Sequence, residues 1–142
     1  MDKTLGLILV AGAIATMIAA CSGDDNSGAK PDAEGLGSTA RHDGEDFLSG
    51  NFAAIYERYS EACRAAVTNE QLVAALKNAQ PRVGTLKVVR VDVRDVTSTD
   101  GHARVVFAPA AGGADVDLFG GFDRYIVENG EWHSTDCGAD TE

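Results

Sequence analysis

After Pro81 the apolar residues of this chain change their period, and that change limits its fold more than any other feature of the sequence. Before it they recur every three or four residues: Phe52, Ile55, Tyr56, Tyr59 and Cys63 give a helix one apolar stripe. A short helical stretch, residues 42–49, comes first and is stopped by Gly50-Asn51. Thr68-Asn69-Glu70-Gln71 has capping-box spacing, with Thr68 capping the backbone and Gln71 reaching back, and it opens a helix carrying Leu72, Val73 and Leu76. That helix ends near Pro81, because the residue before a proline is pushed out of the helical region. Beyond Pro81, "TLKVVRVDVRDV" places Lys87, Val89, Val91 and Val93 on one face and Val88, Arg90, Asp92 and Arg94 on the other, a long strand with a mostly dry and a mostly wet side. Thr99-Asp100-Gly101 turns the chain into a second strand, "HARVVFAPA". "ADVDLFGGFDRYIVE" reads as a third strand, bulged or bent at Gly120-Gly121. Asn129-Gly130 is the strongest hairpin signal and "EWHSTDC" the last strand. Helices followed by an antiparallel meander make an α+β domain.

The N-terminal residues read as an address. Residues 1–4 hold one cation, and residues 5–20 are uncharged and rich in Leu, Ile, Val and Ala. At ~1.5 Å per residue that run spans about 24 Å, short of a ~30 Å hydrocarbon core, so it fits a signal-peptide core better than a membrane-spanning helix. Ile18-Ala19-Ala20-Cys21 resembles the bacterial lipobox, in which an aliphatic and two small residues precede an invariable cysteine. That resemblance implies recognition of Ile18, Ala19 and Ala20 by signal peptidase II and attachment of diacylglycerol, with acyl chains such as palmitate, to Cys21. The alternative is ordinary secretion with cleavage at a small-residue site and a spare thiol. Two acyl chains hold a protein on a membrane where one does so only marginally.

Residues 22–40, "SGDDNSGAKPDAEGLGSTA", contain almost no large apolar side chain and read as a flexible tether with a mean reach of roughly 24 Å. Gly35 to Ala40 match a loose GxGxxA dinucleotide pattern, but no strand precedes it and no βαβ unit surrounds it. The organisation is thus a signal peptide (1–20), a lipidated cysteine with linker (21–40) and one folded domain (41–142). The chain's 142 residues leave room for a single ordinary domain. Its 12 Lys and Arg against 22 Asp and Glu give a net charge of −10, which repels a phosphate backbone and excludes nucleic acid as a partner.

"DFLSGNFAAIYERYSEACRAAVTNEQLVAAL", followed by four strands ending in "NGEWHSTDC", resembles the NTF2-like (cystatin-like) superfamily, in its small secreted or lipid-anchored actinobacterial versions. The resemblance covers residues 42–137 and rests on element order, the helix pattern and the final Trp and Cys. It implies a curved antiparallel sheet wrapped around a helix, a cone with a pocket at its open end. Members include ketosteroid isomerases and polyketide cyclases as well as binding and dimerising modules, so the fold alone does not choose a function.

Without Cys21 two cysteines remain, Cys63 and Cys137, and in an exported protein an even remainder favours a disulfide. The alternative is a nucleophilic thiolate beside His133, whose even spacing from Cys137 puts both on one strand face. His42, His102 and His133 are isolated, with no HExxH, CxxC or GxSxG. Asp115 and Asp117 share a strand face without calcium-loop spacing and read as a solvated edge. Isomerase chemistry needs a carboxylate base in an apolar pocket and a phenol to hold an oxyanion. Tyr56 would supply the phenol and Asp123 or Asp92 the base, whereas Glu57, Glu61 and Glu70 sit at exposed helix positions. The pocket residues expected are Tyr56, Tyr59, Asp123, Trp132 and His133, with no catalytic residue, metal or cofactor. The expected function is a lipid-anchored module at the extracytoplasmic face of the cell membrane. Its domain binds a small apolar ligand or an envelope protein without catalysis; the rivals are the isomerase-like enzyme and a homodimerising domain that uses its sheet face.

Overall fold

The computed structural model describes residues 30–80 and 84–137, so the lipobox, Cys21, the first part of the tether and Pro81 lie outside the described residues. Four helices, α1 (Ala33–Ser49), α2 (Phe52–Glu57), α3 (Glu61–Ala66) and α4 (Asn69–Ala79), precede four strands, β1 (Leu86–Arg94), β2 (Asp100–Pro109), β3 (Asp123–Glu128) and β4 (Glu131–Ser134). The strands pair antiparallel in sequence order and curl into a half-barrel, an α+β architecture compatible with an NTF2-like cone.

The tether is shorter than the sequence suggests. Asp32 caps α1 by accepting the Gly35 N–H at 2.8 Å, and the helix runs through residues 33–40, which the composition assigns to a linker. Its buried stripe is Leu36, Ala40, Gly44 and Phe47, correct in spacing but mostly small. Small residues suit it because α1 lies hard against the sheet: a Cβ on Gly44 would sit 2.7 Å from Val105 Cγ1 and 3.1 Å from Val88 Cγ2. Glycine to alanine inside a helix ordinarily stabilises by up to about 1 kcal/mol. Here overpacking outweighs that gain, and Gly44→Ala should cost a net 1–2 kcal/mol or so in urea denaturation. Gly37→Ala is the control, since its Cβ meets only Val93 Cγ1 at 3.8 Å, and it should be neutral or stabilising.

The stripe through Phe52 and Cys63 belongs to two helices rather than one. Between them the backbone of residues 58–60 leaves the helix to cover the open edge of β4: Ser134 donates its N–H to Arg58 O and accepts the Ser60 N–H, both at 2.9 Å. Ser60 then caps α3 by accepting the Cys63 N–H at 3.2 Å. The capping box of α4 forms as expected, with Gln71 N–H to Thr68 Oγ1 at 3.2 Å and Thr68 N–H to Gln71 Oε1 at 2.9 Å. Gly50 closes α1 at φ 81°, and Asn129 and Gly130, at φ 54° and 83°, turn β3 into β4.

Two strand readings are corrected. A bulge between Val88 and Arg90 breaks the alternation of β1, so the dry face is Leu86, Val88, Val91 and Val93, while Val89 points out. The stretch before β3 is a loop whose backbone pairs with β2 through bonds between Val116 and Phe107, and whose Phe119 ring packs edge-on against Phe107. Gly120 and Gly121, at φ 79° and 143°, take the chain out of strand geometry there.

Two apolar cores result. One lies between α1 and the sheet, built on Leu36, Ala40, Val105, Phe107, Tyr125 and Trp132; the other lies among the helices, built on Phe47, Phe52, Ile55, Tyr59, Cys63 and Leu72. Cys63 and Cys137 are joined by a disulfide with a Cα–Cα distance of 5.1 Å. It ties the chain after β4 to the second core, and its sulfurs are therefore not available as nucleophiles.

Candidate functional site

The two cores do not merge completely. Between them lies a cavity of about 170 Å³, walled by Val105 and Tyr125 from the first and by Phe47, Ile55 and Tyr59 from the second. Leu76 and Phe119 complete its apolar lining, and Asp43, Asp123, Ser134 and Asp136 bring polar groups to it. A mostly apolar hollow with a few convergent polar groups has the composition of a small-molecule site.

Asp43 stands on the apolar stripe of α1, three residues after Ala40 and four before Phe47. Its carboxylate accepts from Arg58 Nε at 2.6 Å and from the Tyr125 hydroxyl at 3.0 Å, and the same guanidinium also bonds Asp46 through its NH2 group. Burial pushes the Asp43 carboxyl above 3.8, against the pull of Arg58 and Tyr125. Burial works against the Arg58 charge as well, but its two carboxylate partners outweigh it and raise its pKa. Tyr125 is raised well above 10, mainly by burial and then by Asp43, so its hydroxyl stays a donor.

Asp123, at the start of β3, is different. Burial first, then the charge and hydrogen bond of Asp136, raise its carboxyl to about 7. Tyr59 is also raised, by burial and then by Asp136, and remains a neutral phenol. The folded chain therefore holds a proton on Asp123 between pH 3.8 and about 7 that the unfolded chain has released, so this group's contribution to stability declines as pH rises through that window. Asp123→Asn should flatten that slope and stabilise the protein at pH 8 by about 1–2 kcal/mol, a figure reduced for solvent screening. Parallel pH–stability curves for the two proteins would show that the carboxyl titrates normally.

Of the residues expected at the pocket, Tyr59 and Asp123 line this cavity and the other three do not. The Tyr56 hydroxyl donates to Arg64 O at 3.3 Å. Trp132 is 2% exposed in the first core and donates from Nε1 to Lys30 O at 2.9 Å, while His133 sets Nδ1 3.3 Å from Tyr59 O. Trp132 and His133 line a separate, more polar hollow with Thr39, Ala54, Glu57 and Glu131. Asp92 is on the convex face of the sheet, paired with Arg104 at 2.7 Å and Arg90 at 3.2 Å, which lower its pKa. Asp115 pairs with Arg90, and Asp117 accepts the Gly120 N–H at 3.0 Å. The described residues hold no group of three or more His, Cys, Asp or Glu placed to share a metal ion.

The sequence reading missed Asp43, Arg58, Tyr125 and Asp136. For Asp43 a signal existed: once α1 is extended to residue 33, a carboxylate appears inside the Leu36-Ala40-Phe47 stripe. Compared with known proteins, the chain matches no protein-family model and no curated protein sequence.

Proposed function

We propose that this chain is a lipoprotein held by Cys21 at the extracytoplasmic face of a cell membrane, and that its domain binds a small apolar ligand without turnover. The observation that carries the ligand half is the cavity between the two cores, with apolar walls and its polar groups gathered among Asp123, Asp136 and Tyr59. The anchor half rests on the lipobox resemblance and on two acyl chains being enough for stable attachment. Among the described residues no helix is long and apolar enough to cross a membrane, so attachment at the N-terminus would carry the whole task. The rival role, dimerisation through the sheet face, meets a convex surface of paired charges, with Asp92 between Arg90 and Arg104 and Arg124 against Asp100.

One observation favours a second reading, isomerase-like proton transfer. Asp123 is a carboxyl with a pKa near neutrality in the same cavity as a neutral phenol, the combination such chemistry needs. Tyr59 and Asp123 would then be the phenol and the base, in place of Tyr56.

Native mass spectrometry of the protein extracted gently from its own membrane tests the proposal. A lipid-sized mass increase absent from Cys21→Ala, together with a small molecule released on unfolding, is the expected result. No increase would overturn the anchor. An increase with no passenger from any preparation would overturn the carrier role and favour a protein partner. A passenger released in chemically altered form would favour the enzyme.

A further inference from the structure

The cavity has a charge sign as well as a shape. Asp43 is already answered by Arg58 and Tyr125. Asp123 has no such cation: it shares a hydrogen bond with Asp136, itself an acid, and among the described residues no ion pair joins it to a Lys, Arg or His. A second observation is independent of the acids. Tyr59 is 8% exposed and lines the same cavity, yet its hydroxyl makes no hydrogen bond among the described residues, whereas the hydroxyls of Tyr56 and Tyr125 both do. A hydroxyl with no protein partner at a cavity wall is open to a hydrogen bond from a ligand atom. The walls supply a third element. Four aromatic rings, from Phe47, Tyr59, Phe119 and Tyr125, border the space, and ring faces attract cations. Phe119, 43% exposed, packs edge-on against Phe47 at 5.5 Å.

We propose that the cavity takes a small organic amine, its apolar part among the aromatic rings and its ammonium group donating to the Asp123 carboxylate and the Tyr59 hydroxyl oxygen. The inference rests on the ligand-binding reading above and narrows it to a chemical class. An anion of the same shape meets like charge, and a neutral molecule leaves the carboxylate without a cation. The volume fixes the size: a cavity of about 150 Å³ accepts benzene, so one of about 170 Å³ suits a single ring with a short chain.

Three probes of nearly one shape separate the possibilities: 2-phenylethylamine, 2-phenylethanol and phenylacetate, titrated calorimetrically into the disulfide-intact protein at pH 8. The amine should bind at least tenfold more tightly than the alcohol, and phenylacetate more weakly than either. In Asp123→Asn the amine should fall to the affinity of the alcohol, while the alcohol moves less than twofold and so reports an intact cavity. Tyr59→Phe should weaken the amine severalfold with little effect on the alcohol. Equal affinities for amine and alcohol, or an amine preference that survives Asp123→Asn, would overturn the amine inference and leave the apolar-ligand reading standing. Binding of none of the three would overturn both.

Discussion

Replacing Cys63 and Cys137 together by serine should lower the unfolding free energy by about 4 kcal/mol, the largest loss expected from any side-chain change here. The bridge joins residues 74 apart in sequence, and a loop of that length restricts the denatured chain strongly in the chain-entropy account. The native side adds to it, because Cys63 is 1% exposed within the core of the helices and serine would bury a hydroxyl there. Urea denaturation of the oxidised protein, the reduced protein and the double variant is the measurement. Reduced and double-variant proteins should have matching midpoints, both well below the oxidised one; a loss under about 1 kcal/mol would show that loop closure contributes little. The effect should reach the cavity as well. Asp136, which raises Asp123, is the residue before Cys137, so cutting the bridge frees the segment that holds it in place. Disulfides persist in oxidising compartments, so stability resting on this bridge is also what the proposed extracytoplasmic location requires.

What could be read in the sequence were the features set by neighbouring residues. The Thr68 and Gln71 capping box, the Gly50 stop, the Asn129-Gly130 hairpin and the order of helices and strands depend on local geometry, and all appear in the structure. What could not be read were the features that depend on distant partners. Gly35 and Gly37 resemble linker residues until α1 is seen to run through them, and the role of Gly44 shows only when Val88, Val105 and Phe107 are seen pressing on it, where a glycine lets helix and sheet approach so closely. The break at Tyr59 is invisible because the backbone bonds that favour it come from Ser134 on the last strand. The bulge after Val88 shifts every following side chain to the opposite face, an error that alternation cannot detect in a run of valines and charges. The site followed the same rule. Tyr59 and Asp123 were legible as a phenol on a stripe and an acid at a strand start, whereas Asp43 and Tyr125 meet only once β3 has folded across from α1.

Arg58→Met should be the second most damaging change, costing about 3 kcal/mol. Arg58 answers two carboxylates at once, Asp43 and Asp46, and Asp43 has only 14% of its side chain exposed. Methionine replaces the apolar stem but leaves Asp43 as a buried charge with only the Tyr125 hydroxyl to meet it. The cost belongs to the low end for buried pairs because the Arg58 side chain keeps 26% exposure. The dependence on pH identifies the cause. Burial already raises the Asp43 carboxyl above its unfolded 3.8, and removing its cation raises it further. A carboxyl with a raised folded-state pKa contributes fully to stability below the unfolded value, and loses that contribution as pH climbs through the folded one. The gap between wild type and Arg58→Met should therefore be widest near pH 8 and shrink toward pH 4, where a protonated Asp43 no longer needs a cation. Adding Asp43→Leu removes the stranded carboxylate, so the double variant should be more stable at pH 8 than Arg58→Met alone. If the double variant is the weaker of the two, or the gap stays constant with pH, Arg58 acts through its packed stem rather than its charge, and the Asp43–Arg58 pair is not what holds α1 to the segment before β4's edge.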